Sequence, residues 1–367
     1  MSRFKICVYA ISKNEEKFVD RWMDAVGEAD LVVVADTGST DDTVRRLRDR
    51  GALVYEENIV PWRFDEARNR AMDHIPEDYD ICVSNDIDEV FEPGWREKLE
   101  RAWNPAYTRA RYWFVWSGDD NGGVKKKFPM EKIHRRKDFR WIHPVHEILK
   151  YSGSEPDQTV FIDDLVLWHK PDPEKSRSQY LPLLELSAKE DPDNDQTVFW
   201  LGREYIFKEQ YDNGIKTLKQ HLVIPSAKWD EERSASMRFI GRAYRQKGDY
   251  KEARRWFFRA AAECDRVREP WVDLAFLGYL EKDWLLSLFA AEKGLEITEN
   301  THSYLVEPDS WTHTLADYAA IACYQLGQFE KGYEYADLAC KLRPGDERLM
   351  RNRSLMTAGV KEKAGGV

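Results

Sequence analysis

Asp86 and Asp88 stand two residues apart in Val83-Ser84-Asn85-Asp86-Ile87-Asp88-Glu89-Val90-Phe91, where an apolar run gives way to carboxylates. At a strand end both can turn toward one cation while Ile87 points inward. Such hard oxygens suit Mg2+ or Mn2+, and those ions in turn suit a diphosphate. An isolated Asp-x-Asp reads more simply as a solvated acidic turn. Here three other segments point to the same chemistry.

The elements that must position this pair are short and alternate. Ile81-Cys82-Val83 reads as a buried strand, and Pro93-Gly94 breaks the chain after the carboxylates. Lys5-Ile6-Cys7-Val8-Tyr9-Ala10-Ile11 has no polar residue after Lys5, as a parallel strand buried on both faces requires. It stops at Ser12-Lys13-Asn14-Glu15-Glu16, where Ser12 or Asn14 is placed to cap a helix carrying Phe18, Val19, Trp22, Met23 and Val26. Leu31 to Ala35 forms a second buried strand, running into Asp36-Thr37-Gly38-Ser39-Thr40-Asp41-Asp42-Thr43 and a basic helix. This α/β alternation puts a ligand site at the carboxyl ends of the strands. Asp36 leaves its strand where a ribose hydroxyl is bound in such folds, and the Gly38 turn and next helix N-terminus favour negative charge. There is no Gly-x-Gly-x-x-Gly and no Gly-Lys-Ser/Thr, so neither a dinucleotide fingerprint nor a P-loop explains these turns.

Four segments, in order and spacing, resemble family 2 glycosyltransferases of the GT-A fold. They are Ile11 to Glu16, Val34 to Thr43, Phe64-Asp65-Glu66-Ala67-Arg68-Asn69 and Asp86-Ile87-Asp88-Glu89. The resemblance covers roughly the first half of the chain. It implies a nucleotide-sugar donor, usually a UDP-sugar, a divalent metal, and inversion at the anomeric carbon. By position, Glu15 and Asp36 would hold the nucleoside, with Ser12, Asn14 and Ser39 in the same two turns. Arg68 would lie against base or phosphates, Asp86 would face ribose or metal, and Asp88 would be the direct metal ligand. For Arg68 the alternative is an ion pair with Asp65 or Glu66 on its own helix.

Residues 125–140 carry eight Lys or Arg against two acidic residues, in a chain of net charge -10. A patch so contrary to the whole suggests an anionic ligand, the donor diphosphate or a charged acceptor. Lys125-Lys126-Lys127 alone reads equally as a solvated hairpin. Before the patch, Ser117 to Gly123 forms an acidic glycine-containing loop, and after it comes Trp141-Ile142-His143-Pro144-Val145-His146-Glu147. The His-Glu pair also resembles the family, in relatives with C-terminal helical repeats. Inverting transfer needs a carboxylate to take the proton of the attacking hydroxyl. Glu147 is the first candidate, and Asp119 and Asp120 in the acidic loop are the alternatives. His146-Glu147 can instead be a structural pair. His169, ending the apolar run Leu165-Val166-Leu167-Trp168, resembles the additional metal ligand of several GT-A enzymes, with Lys170 beside it to assist the leaving phosphate.

From about residue 176 only helical patterns remain. Small residues at 202, 241, 275 and 320 recur 39, 34 and 45 residues apart, each followed by aromatics and further small residues. That suits tetratricopeptide helix pairs of about 34 residues, the first and third degenerate, stacked as a solenoid with a concave face. Such repeats commonly bind partners or dimerise. The insertion at Glu299–Trp311 has no reading in this scheme.

No apolar run reaches the roughly 20 residues needed to cross a bilayer. Met1-Ser2-Arg3-Phe4 leads directly into the first strand without a signal peptide, so a cytoplasmic location is expected. Cys7, Cys82, Cys264, Cys323 and Cys340 lack Cys-x-x-Cys spacing and read as reduced thiols. The expectation is an α/β fold in which a GT-A domain with a mainly parallel sheet (residues 1–173) precedes a tetratricopeptide solenoid (174–357) and a flexible tail (358–367). The expected activity is metal-dependent inverting transfer of a sugar from a nucleotide-sugar. Asp86, Asp88 and His169 would be at the metal, Mn2+ or Mg2+, with a macromolecular acceptor (protein, or a modified base in DNA) and a homodimer through the repeats in view. The alternatives are a surface-glycan transferase and a non-catalytic nucleotide-sugar-binding module whose repeats act as a scaffold. A nucleotidyltransferase is disfavoured by the missing glycine-rich phosphate loop.

Overall fold

The computed structural model describes residues 3–119, 122–172 and 179–365, with side chains as far as residue 360. The chain divides into two compact units, Met1–Glu190 and Asp191–Val367. The division therefore falls beyond the Pro171-Asp172-Pro173 boundary expected from the sequence, because a helix at Tyr180–Glu190 belongs to the first unit.

The first unit begins β1 (Ile6–Ser12), α1 (Val19–Val26), β2 (Leu31–Asp36), α2 (Thr43–Asp49), β3 (Leu53–Glu56), α3 (Phe64–Asp73) and β4 (Ile81–Ser84). It continues through β5 (Glu89–Phe91), α4 (Trp95–Ala102), β6 (Arg109–Gly118), β7 (Val124–Arg135), β8 (Phe139–Ile142), β9 (Ile148–Tyr151), β10 (Thr159–His169) and α5 (Tyr180–Glu190). Strands β3-β2-β1-β4 pair in parallel, and β1, β2 and β4 read as apolar runs because both their faces are covered. Along β1, Ile6, Val8 and Ala10 enter a core with Trp22 of α1 and Trp95 and Leu99 of α4. Cys7 and Tyr9 enter the opposite core, with Ala71 and Met72 of α3 and Trp141 of β8.

The sheet is mixed, with parallel pairings in the majority. Its order continues β4-β7-β6-β10-β5, with β4–β7, β7–β6 and β10–β5 antiparallel and β6–β10 parallel. This order has a geometric consequence at the carboxylates. Ser84 ends β4 and Glu89 begins β5, yet β7, β6 and β10 lie between those strands. The intervening chain spans about 17 Å when fully extended, whereas the four strand gaps of a flat sheet would need about 19 Å. The sheet must therefore curl, and Asn85 to Asp88 connect the interior strand β4 to the edge strand β5.

Neither Ser12 nor Asn14 caps α1, contrary to the sequence reading. The helix starts at Val19 after a turn, and its N-cap, Phe18, makes no side-chain cap. The polar residues ahead of it tie two turns together instead.

The second unit is all helical: α6 (Asp195–Phe207), α7 (Tyr211–His221), α8 (Asp230–Gln246), α9 (Tyr250–Glu263), α10 (Glu269–Glu281), α11 (Trp284–Glu296), α12 (Thr314–Gln325), α13 (Phe329–Leu342) and α14 (Glu347–Gly365). Consecutive helices pack as hairpins of the kind found in tetratricopeptide repeats, and all four pairs form, including the two whose sequences are degenerate. Close approach explains the small residues. A Cβ on Gly278 would stand 2.6 Å from the Ser287 backbone nitrogen. The expected flexible tail from residue 358 is instead part of α14, which continues to Gly365. Among the described residues no helix is long and apolar enough to cross a membrane. Cys7 and Cys82 are neighbours across the β1–β4 pairing, and burial pushes the Cys82 thiol up to about 12, so it stays protonated.

Candidate functional site

Four segments bring the polar side chains together at the carboxyl ends of β1, β2 and β4 and the end of β10. The first two are the turns after β1 and β2. The Asp36 carboxylate accepts hydrogen bonds from the backbone N–H groups of Gly38 (3.0 Å) and Ser39 (2.8 Å) on one oxygen. Its other oxygen accepts from the hydroxyls of Ser12 (2.7 Å) and Ser39. Asp36 is 2% exposed. The structure thus engages this carboxylate in folding its own turn, with Gly38 at a φ of 98° that favours glycine. Asn14 accepts from the Thr40 N–H (2.7 Å), its own N–H donates to Ser39 Oγ (2.8 Å), and the Glu15 N–H donates to Thr43 Oγ1 (2.7 Å). Ser12, Asn14, Glu15, Asp36 and Ser39 therefore do lie in one place, as a cross-braced double turn.

The third segment is α3. Arg68 is buried and pairs with neither Asp65 nor Glu66; Arg63 takes Asp65 and Arg70 takes Glu66. The Arg68 guanidinium donates instead to both oxygens of Asp86 (2.6 and 3.0 Å) and through Nε to Glu147. It also lies 5.2 Å from the Trp141 ring centroid. Asn69 next to it holds the backbone of Trp141 from both sides, Nδ2 donating to O and Oδ1 accepting from N–H, each at 2.9 Å. Glu147 pairs with Arg68 rather than with its neighbour His146.

The fourth segment is the carboxylate turn itself. The Asp86 N–H donates to Glu89 (3.0 Å), and Trp22 Nε1 donates to Asn85 (2.6 Å). Lys132 of β7 reaches in and donates to Asp86 (3.0 Å) and Glu89 (2.8 Å). Two cations against Asp86 hold its carboxyl well below the usual range, despite burial. Glu89 is 3% exposed, and burial pushes its carboxyl up to about 7, with Asp86 and Asp88 adding and Lys132 opposing. Lys132 and Glu89 were not singled out by the sequence reading. Simple alternation along β7 could not have found Lys132: Phe128 and Met130 pack on the Trp22 core whereas His134 contacts Tyr9 on the other side, with a register shift between them.

Asp88 and His169 meet because β5 pairs antiparallel with β10, placing His169 opposite Glu89. His169 Nε2 stands 3.5 Å from Asp88 Oδ2, and the Lys170 N–H donates to the Asp88 carbonyl (2.7 Å). Adjacent ligands on one small divalent ion, with bonds of about 2.1 Å, lie about 3.0–3.4 Å apart. His169 is stacked on Trp116 (4.6 Å between centroids), and its Nδ1 is buried with no hydrogen-bond partner. Among the described residues no group of three or more His, Cys, Asp or Glu is placed to hold a metal. Asp88 and His169 alone do not make a complete protein cage for a metal.

Asp119 accepts from the Gly123 N–H (2.7 Å), closing the β6–β7 hairpin with its own carboxylate. Asp120 lies outside the described residues. The Lys170 ammonium lies 4.7 Å from the Trp168 ring centroid. At least half of the basic patch is neutralised or engaged: Lys132 as above, Arg135 on Asp138, Arg140 on Asp73, and Arg136 on the Ile75 carbonyl. Trp141 is buried, only 4% exposed, and its Nε1 donates to the Tyr9 hydroxyl (2.9 Å), which lies 2.9 Å from His134 Nε2.

No family model matches the chain. Among solved structures it is similar to MamA, with 17% identity, a TM-score of 0.35, and coverage of 44% of this chain and 79% of that one. It is also similar to YrrB, described as a TPR protein with an unusual peptide-binding site, with 14% identity, a TM-score of 0.39, and coverage of 49% and 84%. A third is the Cut9–Hcn1 tetramer of the APC/C, with 13% identity, a TM-score of 0.39, and coverage of 50% and 33%.

Proposed function

We propose that the first unit is a GT-A-like glycosyltransferase that uses a nucleotide-sugar, preferably a UDP-sugar, with Mn2+ or Mg2+. The observation that carries this reading is the convergence of Asp88 and His169 at the mouth of a curled sheet, beside Asp86 and the cross-braced turns that hold Asp36. The resemblance of the four sequence segments supports it independently. Asp88 and His169 would hold the ion, which when bound neutralises the diphosphate as it leaves. The double turn would seat the nucleoside on its backbone amides and hydroxyls. Arg68 orients Asp86 on one side and Glu147 on the other. Glu147 has one oxygen on Arg68, and its second oxygen takes the proton of the attacking acceptor hydroxyl. The repeats of the second unit would present a macromolecular acceptor or partner.

Calorimetric titration of UDP with and without Mn2+, on the wild type and on Asp88→Ala, tests the proposal. Micromolar binding that requires the metal and weakens at least tenfold in Asp88→Ala is the expected result. Metal-independent binding, or none with UDP, GDP or TDP, overturns it. Binding without turnover over a panel of donors and acceptors would favour the non-catalytic module.

A further inference from the structure

The inserted segment before α12 has a defined place in the repeat unit. The first helices of successive pairs, α6, α8 and α10, contact one another directly and so line the inner face of the stack. On α6, Gln196, Trp200, Arg203 and Phe207 fall on one stripe at helical spacing, and on α8 Arg238 and Arg242 do the same.

Residues 300–307 of the segment cross these stripes in a non-helical conformation before a short 3-10 helix at Pro308–Trp311. The Tyr304 ring stacks on Trp200 at 5.1 Å, and its hydroxyl donates to Glu232. Thr301 Oγ1 donates to Glu231 (3.0 Å). The Glu307 N–H donates to Glu269 (2.9 Å), and its carboxylate receives both terminal nitrogens of Arg242 (2.9 and 2.8 Å) and pairs with Arg238 (2.8 Å). The inner face thus displays how it holds an open chain, with an aromatic ring on an indole and a carboxylate on paired guanidiniums.

One guanidinium in this row has no such partner. Arg238 and Arg242 share Glu307, and Arg245 lies 3.5 Å from Asp273. Arg203 makes no ion pair among the described residues, and its Nε is buried with no hydrogen-bond partner. Its guanidinium lies 3.8 Å from the Trp200 centroid and 5.4 Å from that of Phe207, whose ring is 57% exposed. Burial pulls this group down to about 10, with Tyr304 and the more distant carboxylates of Glu204, Glu232 and Glu307 opposing. A desolvated cation with no carboxylate in direct contact weakens the fold unless a ligand supplies one. Cation–π contact with Trp200 returns only about 0.5–2 kcal/mol.

We propose that Arg203 is the open anchor of this inner face and receives a carboxylate of an acidic peptide segment lying extended beside Tyr304. The bound Glu307 argues for a carboxylate, and for a peptide as its carrier. The aromatic cage of Trp200 and Phe207 orients the guanidinium and shields the pair from water. This inference does not depend on the catalytic reading of the first unit.

The test is calorimetric titration of the full chain with a synthetic hexaglutamate peptide at low salt, with inorganic phosphate as a second arm. Saturable binding of the peptide, weakened at least tenfold in Arg203→Gln and less in Arg203→Lys, is expected. The Arg203 Nε–H resonance should shift on addition of peptide. Circular dichroism establishes that each variant is folded, and Phe207→Ala serves as the second variant should Arg203→Gln fail to fold. Absence of binding, or binding unchanged by Arg203→Gln or by Phe207→Ala, overturns the proposal and leaves Arg203 as a prop for Trp200. Equally tight Arg203-dependent binding of phosphate replaces the peptide site with a general anion site.

Discussion

Arg68 and Asp86 form a two-pronged ion pair, Nη1 to Oδ1 at 2.6 Å and Nη2 to Oδ2 at 3.0 Å. The planar fork of arginine matches a carboxylate in a way that a lysine ammonium does not. The same guanidinium also carries Glu147, so one side chain of α3 fixes two carboxylates from distant parts of the sequence.

Removing that guanidinium leaves two carboxylates in a mostly buried site without their cation. Arg68→Met is expected to lose about 3–5 kcal/mol of stability, the usual consequence of breaking a buried pair from one side. Arg68→Lys should fall between it and the wild type. Urea denaturation measures both. An unchanged midpoint would mean that Arg68 serves ligands only.

Glu147→Gln keeps an oxygen to accept from Arg68 Nε and removes the basicity. Transferase turnover should fall about 10²- to 10⁴-fold, the usual contribution of a general base. UDP affinity should stay within about twofold of the wild type, since a change of that size is only about 0.4 kcal/mol. Retained turnover would move the base elsewhere.

Glu89 supplies a pH dependence. Its folded-state carboxyl lies near 7, above the ordinary value of 4.5, with burial the largest cause. Between those two values the folded protein holds a proton that the unfolded chain has released. Stability should therefore decline as pH rises through that window, with a slope approaching about 1.4 kcal/mol per pH unit at most. Glu89→Gln should flatten the slope. Urea midpoints taken from pH 4.5 to 8 decide it, and an unaltered slope in the variant assigns the effect to another group.

In the repeat unit, Gly278→Ala would place a methyl group 2.6 Å from the Ser287 nitrogen and 2.9 Å from the Asp283 carbonyl oxygen. Both are backbone atoms that cannot swing aside. A loss of about 1–3 kcal/mol is expected from such overpacking, read as a lower melting temperature. A melting temperature equal to the wild type would show that α10 and α11 separate easily.

Local pattern was enough for some of this protein. The β-branched runs at 6–11, 31–35 and 81–83 had to be strands buried on both faces, and they are. The spacing of Val19, Trp22, Met23 and Val26 put one face of α1 into the core. Recurrent small residues marked the close helix pairs, because a Cβ there meets its neighbour.

What the chain alone left open were relations between distant residues. Nothing local distinguishes Arg68 on Asp86 from Arg68 on Glu66, since the helix offers i±3 and i±4 partners on its own surface. The place of β4 beside α3 decided it, Arg68 Nη1 lying 3.3 Å from the Ser84 hydroxyl that ends the strand before Asp86. Lys132 looked like one more base in a basic run until the β4–β7 pairing set it between Asp86 and Glu89. Asp88 and His169 became neighbours only through the β5–β10 register. Composition and periodicity determine which residues are buried and in what element. Which charges meet is decided by strand order and register, because an ion pair needs a specific partner within a few ångströms and hydrophobic burial does not.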